Sequence, residues 1–259
     1  MTSYSLYELN EYIKQVMALN FNEPIWVNCE ISQVNQVRGQ VYMEVVQHDD
    51  ETNQIKAQSA AVIWYKQFSF IKKKLNDLLP AILTTGTKVM IKVTVEFHER
   101  YGLKLIIHDI DASYTIGQME MARQKIIERL KKAGIMRDNA NTHLPKVIQH
   151  VAVISSATAA GYADFLAQIA NNEYDYDIRV DLYPAAMQGT NTESEVCAAL
   201  DTIRLKMTQY DCVAIIRGGG SKLDLGSFDN YNIGHSIATF PIPVITGIGH
   251  EIDSTVADM

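Results

Sequence analysis

Residues 147–173 read VIQHVAVISSATAAGYADFLAQIANNE. The opening run, VIQHVAVIS, is short, apolar and rich in β-branched residues, as expected of a strand buried on both faces. A patch of small residues follows, and from Gly161 the apolar positions take helical spacing. The same rhythm recurs toward the C-terminus. DIRVDLYP (177–184) leads into TESEVCAALDTIRLKM (192–207), and DCVAIIR (211–217) leads into NYNIGHSIATF (230–240). PVITG (243–247) then leads into a last helix expected to begin at His250. Thr192 and Glu195 have the Thr-x-x-Glu spacing of a capping box. Strands alternating with helices imply a mostly parallel sheet covered by helices.

The N-terminal half has a different style. Residues 5–20 carry Leu6, Leu9, Ile13, Val16, Met17 and Leu19 on one side of a helix. Five β-type runs follow: PIWVNCEISQVNQV, GQVYMEVVQH, IKAQSAAVIWY, TKVMIKVTVEFHE and GLKLIIHDIDASY. A helix, KQFSFIKKKLNDLL (66–79), separates the third from the fourth, and Arg100, Tyr101 and Gly102 form a hairpin turn before the fifth. Five strands with a helix in that place match the OB-fold barrel. Residues 117–133 have the pattern of a connecting helix, with Gly134 as its stop, and a polar loop runs to Pro145. The expected architecture is α+β in two domains: an OB-fold at 1–113, a connector at 114–145, and an α/β domain at 146–259.

Bulk properties set outer bounds. The chain has 259 residues, 47% of them hydrophobic, and no apolar run approaches the roughly 20 residues of a membrane span. The three cysteines, Cys29, Cys197 and Cys212, are scattered, without metal or disulfide spacing, which fits a reducing cytoplasm. The formal net charge is −7. Residues 1–113 hold 11 basic and 13 acidic side chains, and residues 114–259 hold 12 and 17. A polyanion ligand would therefore need clustered basic groups or a cation. Lys72–Lys73–Lys74 and Arg129, Lys131 and Lys132 are candidate clusters, although such runs commonly form a solvated face.

In an open parallel sheet, ligands bind beyond the carboxyl ends of the strands. After the first strand come Ser156, Thr158 and then Asp164; after the third come Arg217, Gly218, Gly219, Gly220 and Ser221; after the fourth come His250, Glu251 and Asp253. Three glycines let a backbone approach an anion and aim several N–H groups at it, and Arg217 adds a fork suited to phosphate. A flexible glycine loop is the plainer alternative. The spacing fits neither a P-loop nor the G-x-G-x-x-G fingerprint. His250 and Asp253, three apart, would share one helical face, where the histidine can pass protons and the aspartate can orient it or bind a divalent cation. Without a second histidine at Ser254 this is no zincin motif. Glu251 reads as an acidic complement to a helix N-terminus, and Asp164 by position alone is open between that role and catalysis.

The blocks VISSATAAGYADFL, IIRGGGSKLDLGSFDN and PVITGIGHEIDSTVAD resemble those of the large subunit of exonuclease VII. The opening SLYELNEYIKQVM followed by PIWVNCEIS resembles the helix that leads into the OB-fold of that family. The resemblance implies a nuclease that degrades single-stranded DNA from either end into oligonucleotides, in complex with many copies of a small helical subunit. It places the catalytic set on Asp164, Arg217, His250 and Asp253, and a DNA-contacting aromatic at Trp64, whose plainer role is a core or interface tryptophan. The implied chemistry is phosphodiester hydrolysis. Arg217 with residues 218–221, and Ser156 and Thr158, would bind phosphate, and His250 would act as base or acid. Asp253 would orient His250 or, with Asp164, hold a Mg²⁺; a metal-free reaction is equally open. This chain departs from the family pattern in the acidic segment after His48, in Ala159-Ala160-Gly161, and in Gly226, where an aromatic is usual. The resemblance also implies that the chain is C-terminally truncated at Met259, lacking most of the surface for the small subunits. Two other functions fit the residues: a non-catalytic single-strand-binding module, and an α/β enzyme acting on a sugar-phosphate or nucleotide.

Overall fold

The computed structural model describes residues 3–49, 51–173, 175–218, 222–249 and 254–259, with the backbone alone at 222–224. It divides into two compact units, Met1–Gln118 and Met119–Met259.

The first unit opens with helix α1 (Leu6–Asn20), set by a capping box: the Glu8 N–H donates to the Ser5 hydroxyl, and the Glu8 carboxylate accepts the Ser5 N–H at 2.7 Å. The apolar side of α1 is largely uncovered. No residue of α1 is buried, and Leu6 and Leu19 remain 74% and 79% exposed. Polar contacts tie the helix to a hairpin instead. Asn10 Nδ2 donates to the Glu99 carbonyl at 2.7 Å, and Lys14 pairs with the Glu99 carboxylate.

Strands β1 (Ile25–Val37), β2 (Gln40–His48), β3 (Ile55–Ile63), β4 (Lys88–His98) and β5 (Gly102–Asp111) close into a barrel in the order β1-β2-β3-β5-β4. β4 returns antiparallel to β1, and β3 and β5 pair in parallel. This is the expected OB-fold. Inward residues such as Ile31, Ile63, Val89, Ile91, Val93 and Ile107 are fully buried and fill the barrel. The β1–β2 hairpin turns on Arg38 and Gly39, with φ of 50° and 76°, the two positive dihedrals of a type I′ turn. The helix expected over 66–79 is broken. α2 (Tyr65–Leu75) ends where Asn76 takes φ 45°, and a 3₁₀ turn and the short α3 (Leu79–Ile82) follow. Helix α4 (Ala112–Lys132) begins five residues before the expected 117, because the Asp111 carboxylate accepts the Ser113 N–H at 2.8 Å and ends the strand there. Gly134, with φ 73°, follows its end as the sequence predicts.

In the second unit β6 (His150–Ser155), β7 (Arg179–Pro184), β8 (Cys212–Ile216) and β9 (Val244–Gly247) form a fully parallel sheet in the order β7-β6-β8-β9. The central β6 and β8 are buried almost throughout, which is why they read as unbroken apolar runs. One face packs Ala152, Ile154, Val213 and Ile215 against α6 (Thr192–Arg204) and α7 (Tyr231–Ala238); the other packs Val151, Val153 and Ala214 against Tyr162 and Phe165 of α5 (Ala160–Ala170). Asn139, in the polar loop before β6, fastens the far edge of the sheet. Its amide donates to the carbonyls of Phe240 and Ile242 and accepts the Val244 N–H, each at 2.9 Å.

Two local expectations are corrected. The capping box at Thr192 is absent: Asn191 is the N-cap, Thr192 is buried inside the first turn, and the Glu195 carboxylate accepts the Ala186 N–H at 2.7 Å instead. A single helix running from His250 past Asp258 is also excluded. Thr255 is extended, with φ −105° and ψ 172°, and caps a short 3₁₀ turn at Val256–Asp258 through its own capping box with Asp258.

Candidate functional site

In the order β7-β6-β8-β9, the chain leaves β6 for β7 on one side and later places β8 on the other. The carboxyl ends of β6 and β8, where the order reverses, are the usual ligand position in such sheets. The register aligns those ends: Ile154 lies opposite Ile215, and Ile216 opposite Gly247. Ser155 is fully buried, and its hydroxyl donates to the Ile216 carbonyl at 2.6 Å, locking the two strand ends together.

The loops beyond them touch directly. Arg217 is buried, and its N–H donates to the Gly247 carbonyl at 3.0 Å. A Cβ built on Gly161 would lie 2.4 Å from the Arg217 carbonyl oxygen, and one on Gly218 would lie 3.0 Å from the Ala160 nitrogen. The start of α5 and the loop after β8 are therefore packed backbone to backbone, a contact that only glycine permits. Ser156 and Thr158 stand on the same loop as the start of α5, with their hydroxyls 3.2 Å apart. Asp164 is exposed on the first turns of α5. The candidates Gly219, Gly220, Ser221, His250 and Asp253 lie outside the described residues, as does Glu251. The chain that carries His250 is held on both flanks: by Gly247 against Arg217, and by the Val256 N–H, which donates to the Asp229 carboxylate at 2.8 Å. Burial raises the Asp229 pKa, while the Val256 N–H and the Arg123 guanidinium, 3.5 Å away, pull it back down. Among the described residues no group of three or more His, Cys, Asp or Glu side chains could hold a metal ion.

A second candidate surface lies on the barrel. Trp64, the N-cap of α2, is 37% exposed and meets Tyr42 edge to face at 6.5 Å. Its ring is thus neither a core nor a fully covered side chain. It lines a groove of about 470 Å³ together with Lys14, Met17, Phe97, Tyr101 and Lys104. Of these only Trp64 is singled out from sequence. Of the candidate basic clusters, Lys74 is bound to the Asp109 carboxylate at 2.7 Å and Arg129 lies over the Tyr231 ring at 3.6 Å. Neither is a free phosphate contact. In the acidic segment after His48, Lys56 holds the Asp49 carboxylate down to about 2, aided by the N–H groups of Thr52 and Glu51.

Fold and rim together define an OB-fold joined to an α/β domain whose parallel sheet reverses strand order between β6 and β8. Residues 4–111 match the model of the OB-fold nucleic acid binding domain, and residues 135–259 match that of the exonuclease VII large subunit. Over nearly its whole length the chain is similar to exonuclease VII large subunits. It is 29% identical to the exodeoxyribonuclease 7 large subunit of Deinococcus radiodurans over 98% of its own length and 62% of that protein. The corresponding protein of Campylobacter hominis is 35% identical over 67% of this chain and 44% of its own. That of Shewanella sediminis is 28% identical over 98% of this chain and 54% of its own. The chain thus spans about half to three fifths of these relatives. Among the described residues no helix is long and apolar enough to cross a membrane.

Proposed function

We propose that the protein hydrolyses phosphodiester bonds of single-stranded DNA from either end, releasing oligonucleotides, as the large subunit of an exonuclease VII that assembles with small subunits. In this reading the barrel binds the strand and the α/β unit cleaves it. The observation that supports it best is the meeting of Gly161, Arg217 and Gly247 at one edge of the sheet. Helix α5, which carries Asp164, the loop that begins at Arg217, and the segment that follows Gly247 and precedes His250 in sequence all start at that edge.

Arg217 and the amides of residues 218–221 hold the phosphoryl oxygens and offset the charge that grows in the transition state. Ser156 and Thr158 add hydroxyl donors. His250 takes a proton from water or gives one to the leaving oxygen, and Asp253 holds its imidazole in place. In the alternative arrangement Asp253 would join Asp164 in holding a Mg²⁺, which would supply an activated water.

The test is cleavage of single- and double-stranded DNA labelled at either end, by the large subunit assembled with small subunits. The reading predicts oligonucleotide products from both ends of the single strand and little from the duplex. Cleavage that starts at internal sites of a circular strand contradicts it.

A further inference from the structure

Two exposed aromatics, Trp64 and Tyr101, line the groove on the barrel. Trp64 follows the end of β3. Tyr101 tops the β4–β5 hairpin, whose three-residue turn is fixed by the Tyr101 N–H donating to the His98 carbonyl at 3.2 Å and by Gly102 at φ 74°. The Tyr101 ring lies 4.8 Å from the His98 ring and 5.4 Å from the Arg100 guanidinium. These neighbours restrict it, yet the side chain stays 68% exposed, so much of its ring is open to a ligand. A large aromatic held in place and left uncovered contributes no core burial. It offers a flat apolar face at low entropic cost.

Val95, Phe97, Lys104 and, from α1, Lys14 line the same groove, Lys14 being paired with the Glu99 carboxylate. Glu96 is the single carboxylate among the described lining residues. Exposed aromatic faces in a groove that also carries a lysine match the chemistry of a single strand, whose unpaired bases stack while its phosphates pass basic groups. A duplex keeps its base faces covered and gains nothing from such rings. The hairpin between the fourth and fifth strands is also where OB-folds commonly meet oligonucleotides.

We propose that Tyr101 is a second base-stacking platform, which with Trp64 grips two separated bases of one single-stranded DNA. The inference rests on the strand-binding role proposed above for the barrel. It adds a residue and a longer footprint on the strand.

The experiment is fluorescence anisotropy of the 259-residue chain with labelled oligothymidylates of increasing length. Tyr101→Ala is expected to weaken binding of the longer oligomers about five- to one-hundred-fold, the range for loss of one stacked base. It is expected to leave the shortest bound oligomer nearly unchanged, flattening the dependence on length. Tyr101→Phe keeps the ring and retains wild-type affinity. Phe70→Ala removes an equally exposed aromatic from α2, outside the groove, and has no effect. If Trp64→Ala weakens binding but Tyr101→Ala does not, the second platform is wrong while strand binding by the barrel stands. If the wild-type chain binds no oligomer, the platform and the role of the barrel both fail.

Discussion

Gly161 lies against the backbone of Arg217 so closely that a methyl group in its place would sit 2.4 Å from the Arg217 carbonyl oxygen. The neighbour is backbone, fixed in turn by the Arg217 N–H to Gly247, and cannot swing aside. Gly161→Ala therefore pushes α5 away from the loop after β8. The expected loss is more than about 2 kcal/mol in urea denaturation, as for overpacking at a rigid site. Gly226→Ala is the control. Its added methyl would meet only the tip of Met119, at 3.4 Å, and should change stability by less than about 0.5 kcal/mol.

Asn139 makes three hydrogen bonds across more than a hundred residues of chain, to Phe240, Ile242 and Val244. Asn139→Ala strands two carbonyls and one N–H at the edge of β9. A cost of about 3 kcal/mol is expected. Asn139→Asp should rescue little, since a carboxylate still accepts from Val244 but faces two carbonyls it cannot donate to. Equilibrium unfolding of the two variants checks both statements.

Asp229 provides a pH test. Its pKa is raised above 3.8, chiefly by burial, so the folded state holds the proton more tightly than the unfolded one. The stability this group contributes is complete below the unfolded pKa and is lost as pH rises through the folded value. Asp229→Asn keeps an oxygen for the Val256 N–H and removes the buried charge. The variant should be at least as stable as wild type at neutral pH, with less decline above about pH 4. Asp229→Ala, which leaves the Val256 N–H unpaired, should lose about 1–3 kcal/mol. Denaturation midpoints across pH distinguish these outcomes.

The parts of the fold that the sequence foretold are those in which one physical force acts alone. β6 and β8 are buried on both faces, so nothing polar interrupts them. The hairpin at residues 98–102 needs a positive φ and has Gly102 to supply it. The readings that failed involve competition. Thr192 and Glu195 have capping spacing, but the Ala186 N–H claims the carboxylate and Asn191 takes the cap. The helix expected over 5–20 does form, as α1, with Leu6 and Leu19 left open. At the rim, the sequence marks Gly218 for close approach to an anion, and Gly218 packs closely against the Ala160 backbone. Tyr101 is not marked in this way, because an aromatic in a turn has no spacing to mark it. Its place beside Trp64 exists only once the barrel closes.

Under the proposed function, Arg217 and His250 act on one phosphate. Single-turnover cleavage of end-labelled single-stranded DNA by the full large subunit with its small subunits tests it most directly, using Arg217→Lys, His250→Ala and the double variant. Each single change should slow cleavage at least about a hundred-fold, and the double should be no slower than the worse single, as for groups that work as a unit. Single variants that cleave at the wild-type rate, or defects that simply multiply in the double, would contradict a shared active centre.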